Sequence, residues 1–448
     1  MLVCLAGDPS PVERNHMSKR KLLGVAGIVV LVTAMSGPAN AEETTDLPVT
    51  WQITDVSPTD LAQLYNDGYD IARYADDTAI VVGTDDVADQ LRADGYSPVF
   101  NDTIYKDLDP ISVSEDTYYG GYHTVDAHEA HLNQVAADYP DLATVYDIGD
   151  SWLKTQGDGG HDILAICLTK KADGDCELSP DSAKPRFSVI AQIHAREVAT
   201  GEVAWKWIDK LVEGYETDTE ITELMDTTEM WVVPIANPDG VDIVASGGNS
   251  PILHRKNAND SYGSCTGVDL NRNSSFAWGD DSTNPCAETY QGPSAASEPE
   301  VSALENWLRD IHPDQRDDAE DAPAPDDARD VFISLHSYGE YIIVPWGFTD
   351  TTAPNDAKLR ELGAAMSEHN GYFVGTNDDT VGYGTSGTTD DMAYGELGVA
   401  SFTFEMGGGG WGSCSGFLPE YSCIDSELWP INEGALMVAA QSAAGPYA

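Results

Sequence analysis

Basic residues are scarce in this 448-residue sequence. It has 23 Lys and Arg against 76 Asp and Glu, which gives a net charge of −53. Nucleic acids and anionic membranes attract basic surfaces, so this balance argues against partners of either kind. Aromatic residues at 9% and hydrophobic residues at 41% indicate a folded core rather than a disordered acidic chain. Such a carboxylate-rich surface is typical of a protein that works in high salt, where a Debye length of roughly 3 Å screens self-repulsion. A soluble acidic protein without this halophilic adaptation is the alternative.

The sequence also lacks an apolar run long enough to span a bilayer comfortably. The apolar stretch 22–35 follows the basic residues 19–21 and precedes a small-residue site at 39–41. This is the pattern of a secretory signal peptide, and we expect removal after Ala41. Residues 1–16 have no signal character, which indicates Met17 as the true start. We therefore predict a secreted, extracellular protein without a membrane contact after cleavage.

Cysteine is rare and no CxxC motif occurs, which argues against a metal site built from thiolates. Six cysteines remain beyond the leader, and an even count in an exported chain predicts disulfides. Fifteen connectivities are possible for six cysteines, but these lie in three sequence-near couples. The couples give the pairs that we expect: Cys167–Cys176, Cys265–Cys286 and Cys414–Cys423.

Residues 42–104 have the pattern of a small separate domain. Its predicted strands and helices are a strand at 50–56, a helix at 58–67 with Ser57 as its N-cap, strands at 69–74 and 79–83, a helix at 85–93, and a strand at 96–100. This βαββαβ order is that of a ferredoxin-like α+β domain. A connector at 105–117 follows, and residues 118–448 form the second domain.

Helices and strands alternate from residue 118 onward, which predicts an α/β/α sandwich with a mixed, twisted sheet. The predicted elements are helices at 128–139 and 198–213 and strands at 187–193, 230–236, 331–335 and 401–404. Asn237-Pro238-Asp239-Gly240 has the composition of a turn. The segment 313–330, dense in Asp, Ala and Pro, indicates a solvated surface loop without a catalytic role.

Three short segments each end a short apolar strand and contain a candidate metal ligand. They are Ile193-His194-Ala195-Arg196-Glu197, Leu335-His336-Ser337-Tyr338 and Ser401-Phe402-Thr403-Phe404-Glu405. Sites in open α/β sheets form outside the carboxyl ends of strands, so these side chains can converge. Two His and one Glu leave zinc an open position, as in catalytic sites, and a further Glu can act as a base. A lone His is more often a surface or satisfied core residue, and a lone buried Glu is more often part of an ion pair.

Several motifs in order resemble the zinc carboxypeptidases of the carboxypeptidase A/B, or funnelin, family and their secreted bacterial or archaeal relatives. They are His194-Ala195-Arg196-Glu197, Asn237-Pro238-Asp239-Gly240, Arg255-Lys256, residues 267–273, Cys286-Ala287-Glu288-Thr289-Tyr290, His336-Ser337-Tyr338 and residues 401–405. The resemblance covers roughly residues 118–446. It also places Cys265 and Cys286 where this family has a disulfide.

The resemblance implies one zinc ion per chain, held by His194, Glu197 and His336. It implies that Glu405 is the general base, which takes a proton from water and passes it to the leaving amine. Asp269 aligns with an acid that orients His194. The implied activity is hydrolysis of the C-terminal peptide bond of peptides or proteins by a metallocarboxypeptidase.

Further residues match positions that contact the substrate in this family. Arg255 matches the arginine that polarises the scissile carbonyl. Residues that match contacts to the rest of the substrate are Arg196, Asn271, Arg272, Tyr383 and Asp390. Of these, Asn271, Arg272 and Tyr383 imply a grip on the terminal carboxylate, and Asp390 implies a preference for C-terminal Lys or Arg.

The small first domain is expected to be a pro-domain that covers the site until it is cut away, and a permanent accessory domain is the alternative. We expect a monomer. Two other functions fit parts of the pattern: a relative that trims peptidoglycan or isopeptide bonds, and a non-catalytic zinc-binding surface protein. The presence of Asn271, Arg272, Tyr383 and Glu405 favours an active enzyme that acts on ordinary peptide tails.

Overall fold

The computed structural model describes residues 47–106, 114–409 and 414–448. The predicted leader and its cleavage site lie outside the described residues. Contacts divide the chain into the units Met1–Thr45 and Asp46–Ala448, and every described residue belongs to the second unit. Within this described part, no helix is both long and apolar enough to cross a bilayer.

A small antiparallel domain comes first in the described chain. Its elements are β1 (Val49–Thr54), α1 (Pro58–Asn66), β2 (Asp70–Ala75), β3 (Thr78–Gly83), α2 (Asp85–Ala93) and β4 (Val99–Thr103). The strand order β2-β3-β1-β4 confirms the predicted ferredoxin-like arrangement. Ser57 caps α1 through a capping box with Asp60, as expected from its position before Pro58. Its core includes Ile53, Leu61 and Val81.

The larger domain is built on one mixed sheet of eight strands. A short hairpin of β5 (Thr117–Tyr118) and β6 (Tyr122–His123) precedes it, and its strands are β7 (Ala143–Asp150), β8 (Asp162–Leu168), β9 (Arg186–Ile190), β10 (Glu229–Val233), β11 (Val331–His336), β12 (Tyr341–Ile343), β13 (Phe373–Gly375) and β14 (Ala400–Glu405). Their order is β13-β12-β14-β11-β9-β10-β8-β7. The four central strands β14, β11, β9 and β10 are parallel, and antiparallel pairs flank them on both sides.

Helices cover both faces of this sheet. They are α3 (Val125–Asp138), α4 (Trp152–Gln156), α5 (Val198–Gly214), α6 (Thr219–Thr227), α7 (Pro238–Ala245), α8 (Pro299–Ile311), α9 (Asp356–Asn370), α10 (Asn377–Thr380), α11 (Thr389–Leu397) and α12 (Trp429–Ser442), with a 3₁₀ turn at Leu270–Arg272 and a π turn at Ile424–Leu428. Successive side chains of a strand point to opposite faces of the sheet, so they pack in two different hydrophobic cores, one on each face. Ile333 packs in the core with α5, α9 and α12, whereas Phe332 packs in the core with α8 and α11. The predicted α/β/α sandwich is therefore confirmed.

The register of the parallel strands sets the geometry of the candidate site. His336, the last residue of β11, lies opposite Glu405, the last residue of β14. Strand β9 pairs with β11 on its other side, and His194 follows the end of β9. Three neighbouring strands thus deliver polar side chains to one edge, as expected for the carboxyl ends of parallel strands.

Some local predictions differ from the structure. Asn237 does not lie in a turn but caps helix α7, because its side chain accepts a hydrogen bond from the backbone N–H of Gly240. The last strand of the small domain is Val99–Thr103 rather than 96–100, since residues 94–98, which follow α2, form neither helix nor strand. The segment 313–330 contains no helix or strand, in agreement with its prediction as a loop. All three expected cysteine couples are disulfide-bonded in the structure.

Candidate metal centre and active site

His194, Glu197 and His336 converge on one buried point. His194 Nδ1 lies 2.8 Å from Glu197 Oε1 and 3.0 Å from His336 Nδ1. His336 Nδ1 lies 3.1 Å from Glu197 Oε2. The three residues are 1–3% exposed. One ligand atom from each lies within 4.8 Å of the others, so a single ion can contact all three.

The outward nitrogen of each imidazole has its own partner. His194 Nε2 lies 3.1 Å from Asp269 Oδ1, and His336 Nε2 lies 2.8 Å from Ser334 Oγ. Such contacts fix a ring and its tautomer, so that the other nitrogen presents a lone pair to a metal. Asp269 therefore lies where it was predicted, while the contact of Ser334 was not predicted.

The donor set fits zinc. Two imidazole nitrogens and one carboxylate are the ligands of many catalytic zinc sites, which keep a fourth position for water or substrate. If both rings carry their proton on Nε2, two Nδ1 lone pairs face each other at 3.0 Å beside a carboxylate, and a cation bound to all three groups would remove that repulsion. Burial would raise the pKa of Glu197, but the neighbouring His194 and His336 hold it below its ordinary value. The carboxylate is thus ionised and available as a ligand.

Glu405 lies beside this triad and lines the same cavity. Burial and then the negative charge of Glu197 raise its pKa to about 7. A carboxyl group whose pKa is close to neutral can both accept and release a proton, which is the property that a general base and acid needs.

Arg255 lies between the triad and Asp269. Its Nε and Nη2 donate to Asp269 Oδ2 at 3.0 and 2.9 Å, and its Nη1 is 3.7 Å from Glu197 Oε1. Burial would raise the pKa of Asp269, but the charges of Arg255, His194 and Arg272 together hold it well below its ordinary value. Asp269 therefore fixes both a metal ligand and the candidate carbonyl-polarising arginine.

Asn271, Arg272 and Tyr383 also line the cavity. The Oδ1 atom of Asn271 accepts hydrogen bonds from the N–H and hydroxyl of Thr389 at 3.0 and 3.2 Å. Arg272 Nη1 donates to the carbonyl of Asn271 at 2.8 Å. These contacts join Arg272 to Asn271 and Asn271 to the first residue of α11. Asp390, which is 4% exposed, lines the same cavity.

The small domain supplies part of this cavity. Residues 71–74 are among the lining residues. Asp70 forms a two-pronged ion pair with Arg196, with N···O distances of 2.6 and 2.7 Å. The Arg196 guanidinium also lies 4.2 Å from the ring centroid of Phe417 and 3.7 Å from Glu288. Arg196 is thus brought to the site as predicted, but it is engaged by the small domain.

Tyr65 makes a second contact between the two domains. Its ring lies 4.7 Å from that of Tyr383, and its hydroxyl accepts from Arg272 Nε at 3.2 Å and donates to Asp281. The roles of Tyr65, Asp70 and Asp281 were not predicted from the sequence. Their partners are far away along the chain, so no local spacing reveals them. Ser334 stands two residues before His336 on one strand face, which is a signal that could have been used.

Comparisons with known proteins agree with this geometry. The zinc carboxypeptidase family matches residues 128–429, about two thirds of the chain. The chain therefore belongs to the zinc carboxypeptidase family. Carboxypeptidase A4 of Mus musculus is 31% identical over 305 residues, covering 66% of this chain and 65% of that protein. Carboxypeptidase B of Bos taurus is 28% identical over 296 residues, covering 64% of this chain and 63% of that protein.

The fold has solved counterparts. Carboxypeptidase A from Helicoverpa armigera gives a TM-score of 0.70 over 90% of this chain and 98% of that one, at 22% identity. At that identity the likeness supports the fold alone. The chain spans just under two thirds of the length of the mammalian relatives named above. The two relatives named above are from mammals, so the bacterial or archaeal type stays a prediction.

Proposed function

We propose that this chain is the precursor of a secreted zinc carboxypeptidase that removes the last residue from peptides or proteins with a free C-terminus. The observation that supports it best is the convergence of His194, Glu197, His336 and Glu405 in one buried cavity with candidate carboxylate-binding arginines. The names of the relatives point to the same activity. Three disulfides agree with an exported protein.

In the proposed reaction, His194, Glu197 and His336 would hold zinc, which would supply Lewis-acid polarisation of a carbonyl and a lower pKa for water. Glu405 takes a proton from the attacking water and gives it to the leaving amine. The guanidinium of Arg255 neutralises the negative charge that develops on the carbonyl oxygen. Its ion pair with Asp269 keeps it oriented before the substrate arrives.

Selectivity for the chain end is proposed to come from Asn271, Arg272 and Tyr383. A guanidinium binds a carboxylate through two parallel hydrogen bonds, so Arg272 suits a terminal carboxylate at a fixed distance from the bond that is cut. An internal peptide bond offers no such charge to Arg272. The proposed enzyme is therefore an exopeptidase.

The finer preference is proposed to follow from Asp390. A carboxylate that is 4% exposed attracts a cationic side chain strongly, because little water competes with the pair. Peptides ending in Lys or Arg are then preferred over those ending in Leu or Glu. Asp390→Ala is expected to remove this preference, with Asp378→Asn, an exposed acid, as the control. Fastest cleavage of the Leu peptide, with no change in ranking in Asp390→Ala, would contradict the proposed preference.

The small domain is proposed to be a pro-domain that keeps the precursor latent. It engages Arg196 through Asp70 and Arg272 through Tyr65, and both arginines are proposed substrate contacts. Both terminal nitrogens of Arg196 are paired with Asp70, so a peptide cannot use that guanidinium while the small domain is in place. Cleavage within the connector at 105–117, followed by release of residues 42–104, would expose the cavity.

The central test uses the full chain with a specific protease site inserted at residues 107–113. Activity on peptides ending in Lys, Leu or Glu is measured before and after cleavage, with and without a chelator. Activity is expected after cleavage only and is expected to be lost with the chelator. Glu405→Gln is expected to lower kcat by at least about 10²-fold with KM little changed, since it removes the proton acceptor. Full activity of that variant would refute the proposed mechanism.

A further inference from the structure

Asp281 is a buried carboxylate that the proposed reaction does not use. Its side chain is 1% exposed and lies in the loop closed by Cys265–Cys286. One carboxylate oxygen lies 3.3 Å from Arg272 Nε and accepts the hydroxyl of Tyr65. The other oxygen accepts the backbone N–H and the hydroxyl of Ser386 at 2.6 and 2.8 Å. Asp281 thus joins Arg272 to the loop that precedes α11.

Asp281 restricts how the guanidinium of Arg272 can be used. Two of its nitrogens already have partners. Nη1 donates to the carbonyl of Asn271 at 2.8 Å, and Nε donates to the Tyr65 hydroxyl and lies 3.3 Å from Asp281. The guanidinium is planar with five donors in a fixed fork, so fixing these two atoms fixes the plane. The remaining donors belong to Nη2 and to the second hydrogen of Nη1.

Two effects of Asp281 on substrate binding oppose each other. Its negative charge competes with a substrate carboxylate for Arg272, whereas its anchoring removes the entropy cost of ordering a long side chain. The two donors of Ser386 hold one oxygen of Asp281 in place and absorb part of its charge. Orientation is therefore the larger effect.

We propose that Asp281 is a positioning residue that fixes the Nε edge of Arg272, so that the other donors of this guanidinium are aimed at the terminal carboxylate of the substrate. The inference rests on the proposed function, in which Arg272 binds that carboxylate. In the precursor, the Tyr65 hydroxyl accepts from the same Nε atom and donates to the same carboxylate. The Arg272–Asp281 ion pair, at 3.3 Å, is expected to remain after Tyr65 is released.

The test compares Asp281→Asn with Asp280→Asn in the zinc-loaded enzyme, obtained by cutting the folded full chain. Asp280 is the neighbouring acid and is exposed, so it controls for the change of charge. Asp281→Asn is expected to raise KM about tenfold with kcat changed by less than about twofold, as for the loss of a uniform binding interaction. Asp280→Asn is expected to behave as the unsubstituted enzyme.

A second measurement reports on the carboxylate itself. The amino acid released from the best substrate is compared, as an inhibitor, with the amine that has the same side chain but no carboxylate. Asp281→Asn is expected to weaken the amino acid about tenfold and to leave the amine unchanged, because only the amino acid uses Arg272. A purely structural role would weaken both inhibitors alike.

The inference is overturned if Asp281→Asn leaves KM unchanged or lowers it, because competition for Arg272 would then be the larger effect. If that variant does not fold, Ser386→Ala removes one anchor of Asp281 and is expected to raise KM by a smaller factor. No rise in KM would overturn the inference.

Arg272→Ala separates the two proposals. If this variant still discriminates between amino acid and amine, the proposed role of Arg272 is wrong. If it loses the discrimination while Asp281→Asn retains it, only the inference about Asp281 fails.

Discussion

Asp70→Asn is the substitution that tests most directly how the small domain is held over the cavity. The Asp70 side chain is 15% exposed and Arg196 is 3% exposed, so the ion pair between them is nearly dry. Breaking one side of a buried pair costs about 3–5 kcal/mol, because the other charge stays buried without its partner. Asparagine keeps one acceptor oxygen, and Glu288 remains 3.7 Å from Arg196. The lower value of about 3 kcal/mol is therefore the better estimate.

This cost applies to the docked state, since an undocked small domain exposes both groups to water. A loss of about 3 kcal/mol raises the undocked fraction by roughly 100-fold. The uncut Asp70→Asn chain is expected to hydrolyse a small peptide faster than the uncut unsubstituted chain by up to that factor. Asp86→Asn, an exposed acid in α2, is the matched control and is expected to have no effect.

Hydrogen exchange provides a readout that does not need activity. Backbone amides of β2 and of α1, which contains Tyr65, are expected to exchange faster in Asp70→Asn, while β11 and β14 stay protected. Unchanged peptide hydrolysis and unchanged exchange in β2 would refute the reasoning, because docking would then not depend on the ion pair with Arg196.

Three further predictions concern pH and metal. Burial raises the pKa of Glu300 to about 7 from an ordinary value of 4.5. The folded state then keeps a proton that the unfolded state loses, so this group makes the free energy of unfolding fall by about 3 kcal/mol between these pH values. Glu300→Gln is expected to flatten that decline in urea unfolding. Hydrogen bonds to Asp242 and then Glu129 raise the pKa of His161 to about 10 from 6.5. The stabilisation that His161 gives to the fold is complete below about pH 6.5 and is lost as the pH rises through about 10. His161→Gln is therefore expected to cost more unfolding free energy at pH 6 than at pH 10.5, and an equal cost would contradict the pairing. Zinc at about 100 times its Kd is expected to add about 2.7 kcal/mol to the unfolding free energy of the chain, and a shift of equal size in His336→Asn would place the ion elsewhere.

Local sequence patterns predicted secondary structure well where burial or helix capping alone determines the residue type. The apolar run at 331–335 predicted β11, and the run is continuous because every residue of that strand is buried. Ser57 before Pro58 predicted the start of α1. The prediction of a turn at 237–240 was wrong because Asn, Pro, Asp and Gly are also the residues that begin a helix. Here the side chain of Asn237 caps the next turn of backbone instead.

The candidate site was predictable only in part. His336 and Glu405 end neighbouring strands and His194 follows the end of the next one, so strand order and polarity bring them together. The contacts of Asp70 with Arg196 and of Asp281 with Tyr65 could not be predicted, because these partners are 126 and 216 residues apart and no local spacing determines how they pack. In a chain with 76 acidic residues, sequence alone also cannot single out the few carboxylates that are buried.

The pairing of His336 with Glu405 across β11 and β14 has a consequence for how this protein can change. A ladder of backbone hydrogen bonds, rather than the conformation of any loop, determines the separation of these two side chains. A single-residue insertion in either strand would turn one of them to the opposite face and abolish the pair in one step. The segments between the strands that carry no residue of the candidate site are free of that constraint, so their length and composition can drift while the chemistry of the site stays the same.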